Sequence, residues 1–246
     1  MKLAFFGAAR QVTGSSYFVE TNGLRILVDC GLYQERSFLE RNWDPFPVRP
    51  EDIDFLLLTH AHLDHSGLIP RLVHDGFSGT ILTTAATADL MSIALMDAAD
   101  LQEEDAEFKR RRHQREGRTV DHPVVPLYTT EDVQAAMPLV EEVDYESPVQ
   151  IGDAVSVRFR DAGHILGSAM IELTVRENGN VRTVVFSGDV GQWDMPFVCD
   201  PSLFESADYV VMESTYGDRE HEDRDRVDEL LGQIIRETAA AGGNVV

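Results

Sequence analysis

The sequence predicts an α/β protein, because short apolar strands bounded by turn residues alternate with segments of helical periodicity. Apolar residues make up 43% and charged residues 26% of the 246 positions, and mean hydropathy is −0.19, as in globular proteins. A chain of this length forms one large domain or two small ones. No apolar run approaches the roughly 20 residues that a membrane span needs, so we expect no membrane partner.

Strands and tight turns dominate the first sixty residues. The predicted strands of this region are 2–6, 16–20, 24–28 and 54–59. The pair Asn22-Gly23 predicts a hairpin, because both residues accept positive φ. Residues 34–52 are polar and contain three prolines, which predicts a surface loop.

Helices and further strands follow. The predicted helices are 87–117, a segment from Thr129 to about Pro138, and 224–240. The spacing of Thr129 and Asp132 resembles a capping box. The later predicted strands are 154–159, 170–175, 181–186 and 209–212. The final 244–246 segment resembles the start of another buried strand, so we expect a longer polypeptide.

The charge of the chain is strongly acidic. Acidic residues outnumber basic ones 43 to 21, which gives a formal net charge of −22 and argues against nucleic-acid binding through overall charge. A basic run at 109–115 could contact phosphate, but acidic residues four positions earlier favour a solvated helix face with internal ion pairs. The only two cysteines, Cys30 and Cys199, fit a reducing cytoplasm.

The densest chemical signal is T-H-A-H-L-D-H-S-G at residues 59–67. His60, His62, Asp64 and His65 fall within six positions, directly after an apolar strand. A strand end followed by a tight loop lets these side chains reach neighbouring points. They are too many for one tetrahedral ion but suit two ions that share a site. Imidazole and carboxylate together favour zinc, with manganese or iron as alternatives.

Three further candidates follow other predicted strands. His164 lies in A-G-H-I-L-G-S-A and Asp189 in S-G-D, each where a strand gives way to a glycine-containing loop. A carboxylate such as Asp189 can bridge two cations; the alternatives are a loop histidine and a turn aspartate. Asp29 also ends a strand, where it could orient a ligand histidine or cap a turn.

In this order, D-C-G, T-H-A-H-L-D-H, A-G-H and S-G-D resemble the four motifs of the metallo-β-lactamase superfamily. The resemblance implies an αββα sandwich, incomplete here at the C-terminus, with two metal ions at one edge of the paired sheets. It implies that one Zn²⁺ takes His60, His62 and His164, that the other takes Asp64 and His65, and that Asp189 bridges them.

A narrower resemblance is to the β-CASP branch, and within it to RNA nucleases of the pre-mRNA 3′-end cleavage factor type. It is carried by G-A-A-R-Q-V-T-G-S-S, A-G-H-I-L-G-S-A and M-E-S-T-Y-G-D-R-E-H. It implies a catalytic role for Glu213 beside Asp64 and Asp189. His221, which ends the last motif, is not expected to be a ligand. Residues 1–223 would form the metallo-β-lactamase portion, and 224–246 would lead towards a cap domain that is not present.

The leading functional hypothesis is therefore a cytoplasmic, zinc-dependent ribonuclease that acts on single-stranded RNA. The resemblance implies further ligand and proton-donor histidines that lie beyond this sequence. One alternative is a single-domain hydrolase of a small thioester, lactone or phosphate ester, which would carry the same metal string. Another is a non-catalytic scaffold in RNA processing. A homodimer is compatible with the sequence.

Overall fold

The computed structural model describes residues 1–116, 124–219 and 227–245. The chain divides into two compact units, Met1–Glu213 and Ser214–Val246. The first unit contains two β-sheets and a layer of helices.

The first sheet has six strands in sequence order. They are β1 (Lys2–Phe5), β2 (Tyr17–Thr21), β3 (Leu24–Val28), β4 (Phe55–Leu57), β5 (Thr80–Thr84) and β6 (Val140–Val143). The pairs β1–β2 and β2–β3 are antiparallel, and the pairs from β3 to β6 are parallel. The hairpin predicted at Asn22-Gly23 is confirmed, with φ of 50° and 79° at the two residues.

The second sheet has five strands in the order β11-β10-β9-β8-β7. They are β7 (Val149–Gly152), β8 (Val155–Asp161), β9 (Ala169–Glu177), β10 (Asn180–Phe186) and β11 (Tyr209–Val211). All pairs are antiparallel except β10–β11, which is parallel. The sequence predicted β8 to β11, but no strand at β5, β6 or β7.

The core of the first unit has two apolar layers, because successive side chains of a strand point to opposite faces of its sheet. Leu57 lies in the cluster between the sheets, where it packs with residues such as Phe159 and Phe186. Leu56 and Leu58 lie in the other cluster, on the opposite face of the first sheet. The continuous apolar run at 55–58 therefore reflects a strand that is covered on both faces.

Helices cover that opposite face. They are α1 (Leu63–Ser66), α2 (Ile69–His74), α3 (Ala85–Glu116) and α4 (Thr130–Ala136). Leu72 and Met91 contribute to the same buried cluster as Leu56. The layers therefore run helices, sheet, sheet, which confirms the predicted α/β class and the paired sheets.

The predicted loop at 34–52 contains two short 3-10 helices, Leu39–Trp43 and Pro50–Asp52. At the basic run of α3, ion pairs join Lys109 to Asp105 and Arg111 to Glu107, as predicted for a solvated helix face. No helix in the part of the chain that the structure describes is long and apolar enough to cross a membrane.

The second unit contains one helix, α5 (Val227–Ala240), among its described residues. The predicted start of this helix, at 224–226, lies outside the described residues, as does Val246. Asn244 and Val245 are described and lie outside regular secondary structure.

The predicted capping box at α4 is confirmed. Thr129 Oγ1 accepts a hydrogen bond from the Asp132 backbone N–H, and the Asp132 carboxylate accepts one from the Thr129 N–H at 2.8 Å. We expect Thr129→Ala to lower the free energy of unfolding of the metal-free protein by about 1 kcal/mol, because the cap is lost. Urea denaturation measures this, with Thr129→Ser as the control that keeps the hydroxyl. Equal stability of the two variants would contradict the assignment of the cap.

Candidate metal centre

The residues singled out by the sequence follow strand ends at one edge of each sheet. β3 and β4 are parallel neighbours, so Asp29 and the 59–65 segment emerge on the same side of the first sheet. In the second sheet, β8 and β10 both run antiparallel to β9, and β11 runs parallel to β10. His164, Asp189 and Glu213 therefore also emerge together.

Hydrogen bonds join the two sheets at this edge. The Ala169 N–H donates to the Thr59 carbonyl at 2.8 Å, which connects the start of β9 to the segment after β4. The Gly167 carbonyl accepts from the hydroxyls of Thr84 and Thr87, at 2.6 and 2.8 Å. The loop that carries His164 is thereby fixed against the end of β5 and the start of α3.

Three histidines and one aspartate converge at this edge. The ligand atoms of His60, His62, His164 and Asp189 all lie within 4.8 Å of one another. His62 Nδ1 lies 3.1 Å from His60 Nε2 and 3.2 Å from His164 Nε2. Asp189 Oδ2 lies 3.7 Å from His60 Nε2 and 3.6 Å from His164 Nε2. These four side chains form a compact set of nitrogen and oxygen donors.

The other oxygen of Asp189 faces a second pair of side chains. Asp189 Oδ1 lies 3.2 Å from His65 Nε2, and His65 Nε2 lies 3.9 Å from Asp64 Oδ2. The carboxylate of Asp189 therefore stands between two donor groups, with one oxygen turned to each. This is the arrangement that a bridging carboxylate requires.

A buried network behind the site orients the two buried histidines. Asp29 is fully buried, and its carboxylate lies 2.7 Å from His65 Nδ1 and accepts the Thr59 N–H at 2.8 Å. The Thr59 hydroxyl lies 2.9 Å from Asp29 Oδ2 and 3.0 Å from His60 Nδ1. Because a carboxylate only accepts, the hydroxyl donates to Asp29 and accepts from the His60 Nδ1–H. Both rings are thereby turned so that Nε2 faces the site.

Hydroxyl side chains that were not singled out in the sequence also hold site residues. Three of them are Thr59, Ser168 and Ser187. Ser168 Oγ accepts from the His164 N–H at 3.1 Å, and Ser187 Oγ accepts from the Glu213 N–H at 3.1 Å. Each of the three lies inside a quoted motif, so position within the motif is the signal that could have identified them.

Burial and charge set opposite protonation states for the two buried histidines. Burial, reinforced by the neighbouring imidazoles, lowers the pKa of His60 well below its usual value, so this ring is neutral. Burial would also lower the pKa of His65, but the charge of Asp29 and hydrogen bonds with Asp189 and Asp29 outweigh it and raise the pKa to about 10. Without metal, His65 is therefore a cation between two carboxylates.

Glu213 lies beside the segment that carries Asp189. Its Oε1 accepts the backbone N–H of Val190 at 2.9 Å. The side chain therefore ties the end of β11 to the residue that follows Asp189. The end of the last predicted motif, Glu220 and His221, lies outside the described residues.

The residues at this edge fit a divalent metal. Three imidazole nitrogens and a carboxylate oxygen converge, and a set of this kind matches the donors that zinc takes in proteins. His60 is neutral, the state in which imidazole acts as a ligand. Imidazole and carboxylate also accept manganese and iron, so the donors indicate a divalent metal without selecting one.

Comparisons with known proteins agree with this geometry. Residues 9–201 match the family model described as the metallo-beta-lactamase superfamily. The whole chain aligns with 51% of a Thermus thermophilus protein named ribonuclease TTHA0252, at 38% identity. It also aligns with 36% of transcription termination factor FttA of Methanocaldococcus jannaschii, at 29% identity. In the same organism, 99% of the chain aligns with 52% of a protein named probable RNase MJ4, at 28% identity.

The chain thus spans about half or less of the length of these relatives. The matched family model covers β2 to β10 and includes every residue of the convergent donor set. The two-sheet fold, the site at the sheet edge and the family match lead to one conclusion: the chain belongs to the metallo-beta-lactamase superfamily.

Proposed function

We propose that this chain carries the metal site of a ribonuclease that hydrolyses phosphodiester bonds in single-stranded RNA. The observation that carries the proposal is the position of the Asp189 carboxylate. One of its oxygens faces His60 and His164, and the other faces His65. Relatives named ribonuclease, which align over essentially the whole chain, support RNA as the substrate. The absence of a membrane-spanning helix among the described residues is compatible with a cytoplasmic location.

The proposed ligands fall into two sets. His60, His62 and His164 would hold one ion, Asp64 and His65 would hold the other, and Asp189 would be available to both. We propose zinc at both positions, because imidazole and carboxylate are its usual nitrogen and oxygen ligands. These residues would hold ions whose chemistry is Lewis acidity towards a phosphodiester and activation of water near neutral pH.

The side chains around the ions keep the donors in place. Asp29 holds His65 through its Nδ1, and Thr59 holds His60 through its Nδ1, so neither ring can turn away from the site. Glu213 fixes the backbone after Asp189 with one carboxylate oxygen. We propose that its second oxygen takes part in proton transfer to the leaving group.

The acidic charge of the chain is compatible with this function. A net charge of −22 repels RNA at long range, but two divalent ions would add +4 at the place where the scissile phosphate would bind. Within this chain, attraction for the substrate would therefore come from the metal centre and from contacts close to it.

We expect His62→Ala and Asp189→Ala to lower the rate of RNA cleavage about 100-fold or more, because each removes a proposed metal ligand. The measurement is cleavage of a labelled single-stranded RNA oligonucleotide by the zinc-loaded protein, together with its zinc content. His74→Ala is the matched control, since His74 pairs with Asp132 on the surface. Normal cleavage by the ligand variants, or rapid thioester hydrolysis without RNA cleavage, would refute the proposal.

Metal binding should release a proton from His65. The raised pKa of His65, about 10, means that the ring is protonated at pH 7 in the metal-free protein and must lose its proton to become a ligand. Metal affinity should therefore rise with pH up to about pH 10. Calorimetric titration of zinc at pH 7, in two buffers of different ionisation enthalpy, counts the released protons.

Asp29→Asn provides the comparison for this titration. Removing the charge of Asp29 lowers the pKa of His65, so fewer protons should be released at pH 7. Zinc affinity should also fall by about 10- to 100-fold, because the ring loses the partner that orients it. Zinc binding with no dependence on the buffer would contradict a protonated His65.

A further inference from the structure

A loop between Gly191 and Cys199 has its first end against the residues that precede His164. The Gly191 N–H donates to the Ala162 carbonyl at 2.8 Å. A Cβ atom at Gly191 would lie 1.7 Å from the Gly163 carbonyl oxygen and 2.8 Å from the His164 nitrogen. Only glycine allows this close approach. The first residue of the loop therefore lies directly beside His164, a proposed metal ligand.

The second end of the loop returns to the same place. Gly163 has a φ of +64°, and a Cβ atom there would lie 2.7 Å from the Cys199 carbonyl oxygen and 2.8 Å from Pro201. The Asp194 N–H donates to Asp200 Oδ1 at 2.8 Å, which closes the loop on itself. Both ends of the loop therefore pack against Gly163, the residue before His164.

The loop presents two large aromatic side chains to solvent. Trp193 is 52% exposed and Phe197 is 94% exposed. Each lies two residues from an end of the loop, so neither Cα can be more than about 7 Å from that end. Leu166, two residues after His164, is 58% exposed and adds an apolar side chain from the neighbouring loop.

The backbone of Phe197 indicates that this exposure is not incidental. Its φ is +75°, a conformation that a bulky side chain rarely adopts and that costs free energy. Internal packing does not offset that cost, because almost the whole side chain is in solvent. Strained residues of this kind occur preferentially at ligand-binding sites.

We propose that Trp193 and Phe197 form a stacking platform for unpaired nucleobases that flank the scissile phosphate. This inference rests on the proposed function. It names Trp193 and Phe197 as the residues that would make the ribonuclease prefer single-stranded RNA. Bases of a duplex are stacked on one another and cannot reach the two rings, whereas bases of a single strand can. Stacking does not require positive charge, so it suits a chain with a net charge of −22.

Tryptophan fluorescence tests the contact directly. The chain has two tryptophans, so Trp43→Phe leaves Trp193 as the only one. The zinc-loaded variant is titrated with a phosphorothioate-linked single-stranded RNA oligonucleotide, whose binding is followed independently by the anisotropy of an end label. We expect quenching of Trp193 that saturates together with the anisotropy, and at least 10-fold weaker binding by the duplex of the same sequence.

Substitutions test the contribution to cleavage. Phe197→Ala and Trp193→Ala should each raise the KM for single-stranded RNA about 10-fold, with kcat changed less than KM. Phe197→Tyr and Trp193→Phe, which keep a ring, should stay within about 2-fold of the unchanged protein. Leu203→Ala is the control for loss of an exposed apolar side chain, since Leu203 is 73% exposed and lies beyond the second end of the loop. Equal zinc content in all variants shows that the metal centre is intact.

The outcomes separate the two proposals. If RNA binds and is cleaved while Trp193 is not quenched and Phe197→Ala has a normal KM, the stacking platform is wrong and the ribonuclease stands. If the unchanged protein neither binds nor cleaves single-stranded RNA, both are wrong. If Phe197→Ala dissociates an oligomer in sedimentation experiments and leaves the KM unchanged, the rings contact a second copy of the chain, which also overturns the platform.

Discussion

The carboxylate of Asp29 is the group on which the geometry of the metal centre depends. It is fully buried, and a buried charge is stable only when hydrogen bonds replace its lost hydration. Those bonds come from the segment after β4 and from α1, through Thr59 and His65. The requirement to satisfy one buried anion therefore fixes the end of β3, the end of β4 and the first helix in a single arrangement.

The hydrogen bonds of Asp29 also orient two of the proposed metal ligands, His60 and His65. Because the Thr59 hydroxyl donates its hydrogen bond to Asp29, the Thr59 oxygen accepts one from the His60 Nδ1–H, and the His60 Nε2 lone pair faces the site. His65 faces Asp29 with one nitrogen and Asp189 with the other. A carboxylate with no direct place among the ligands thus sets the direction of two of them, and the positive φ of 58° at Asp29 is maintained by these contacts.

The distribution of charge limits how this chain could attract RNA. Acidic residues outnumber basic ones, yet the proposed centre contains four histidines. The net charge of −22 gives the chain no general attraction for RNA. On this chain, binding of the proposed RNA substrate would then depend on contacts near the metal centre. Divalent ions would supply the attraction for one phosphate, and the Trp193 and Phe197 rings would supply contacts that do not depend on charge. The two contributions would act side by side, because both ends of the 191–199 loop pack against Gly163, next to His164.

Local sequence patterns are sufficient to predict the candidate site residues and most of the strands. Strand periodicity and glycine-containing turns are readable without tertiary contacts, so the sequence alone singles out six candidate ligands: His60, His62, Asp64, His65, His164 and Asp189. The local sequence pattern did not predict the strands β5, β6 and β7. Val140–Val143 carries two glutamates and Val149–Gly152 is a short edge strand, so pairing with neighbours rather than propensity makes them strands. Three features depend on contacts between distant segments: Asp189 faces both sets of ligand side chains, Thr59 links Asp29 to His60, and the loop at 191–199 returns to Gly163. Asp189 contacts His60 and His65, which lie far earlier in the chain, after β4 of the other sheet, and packing of the two sheets brings these segments together.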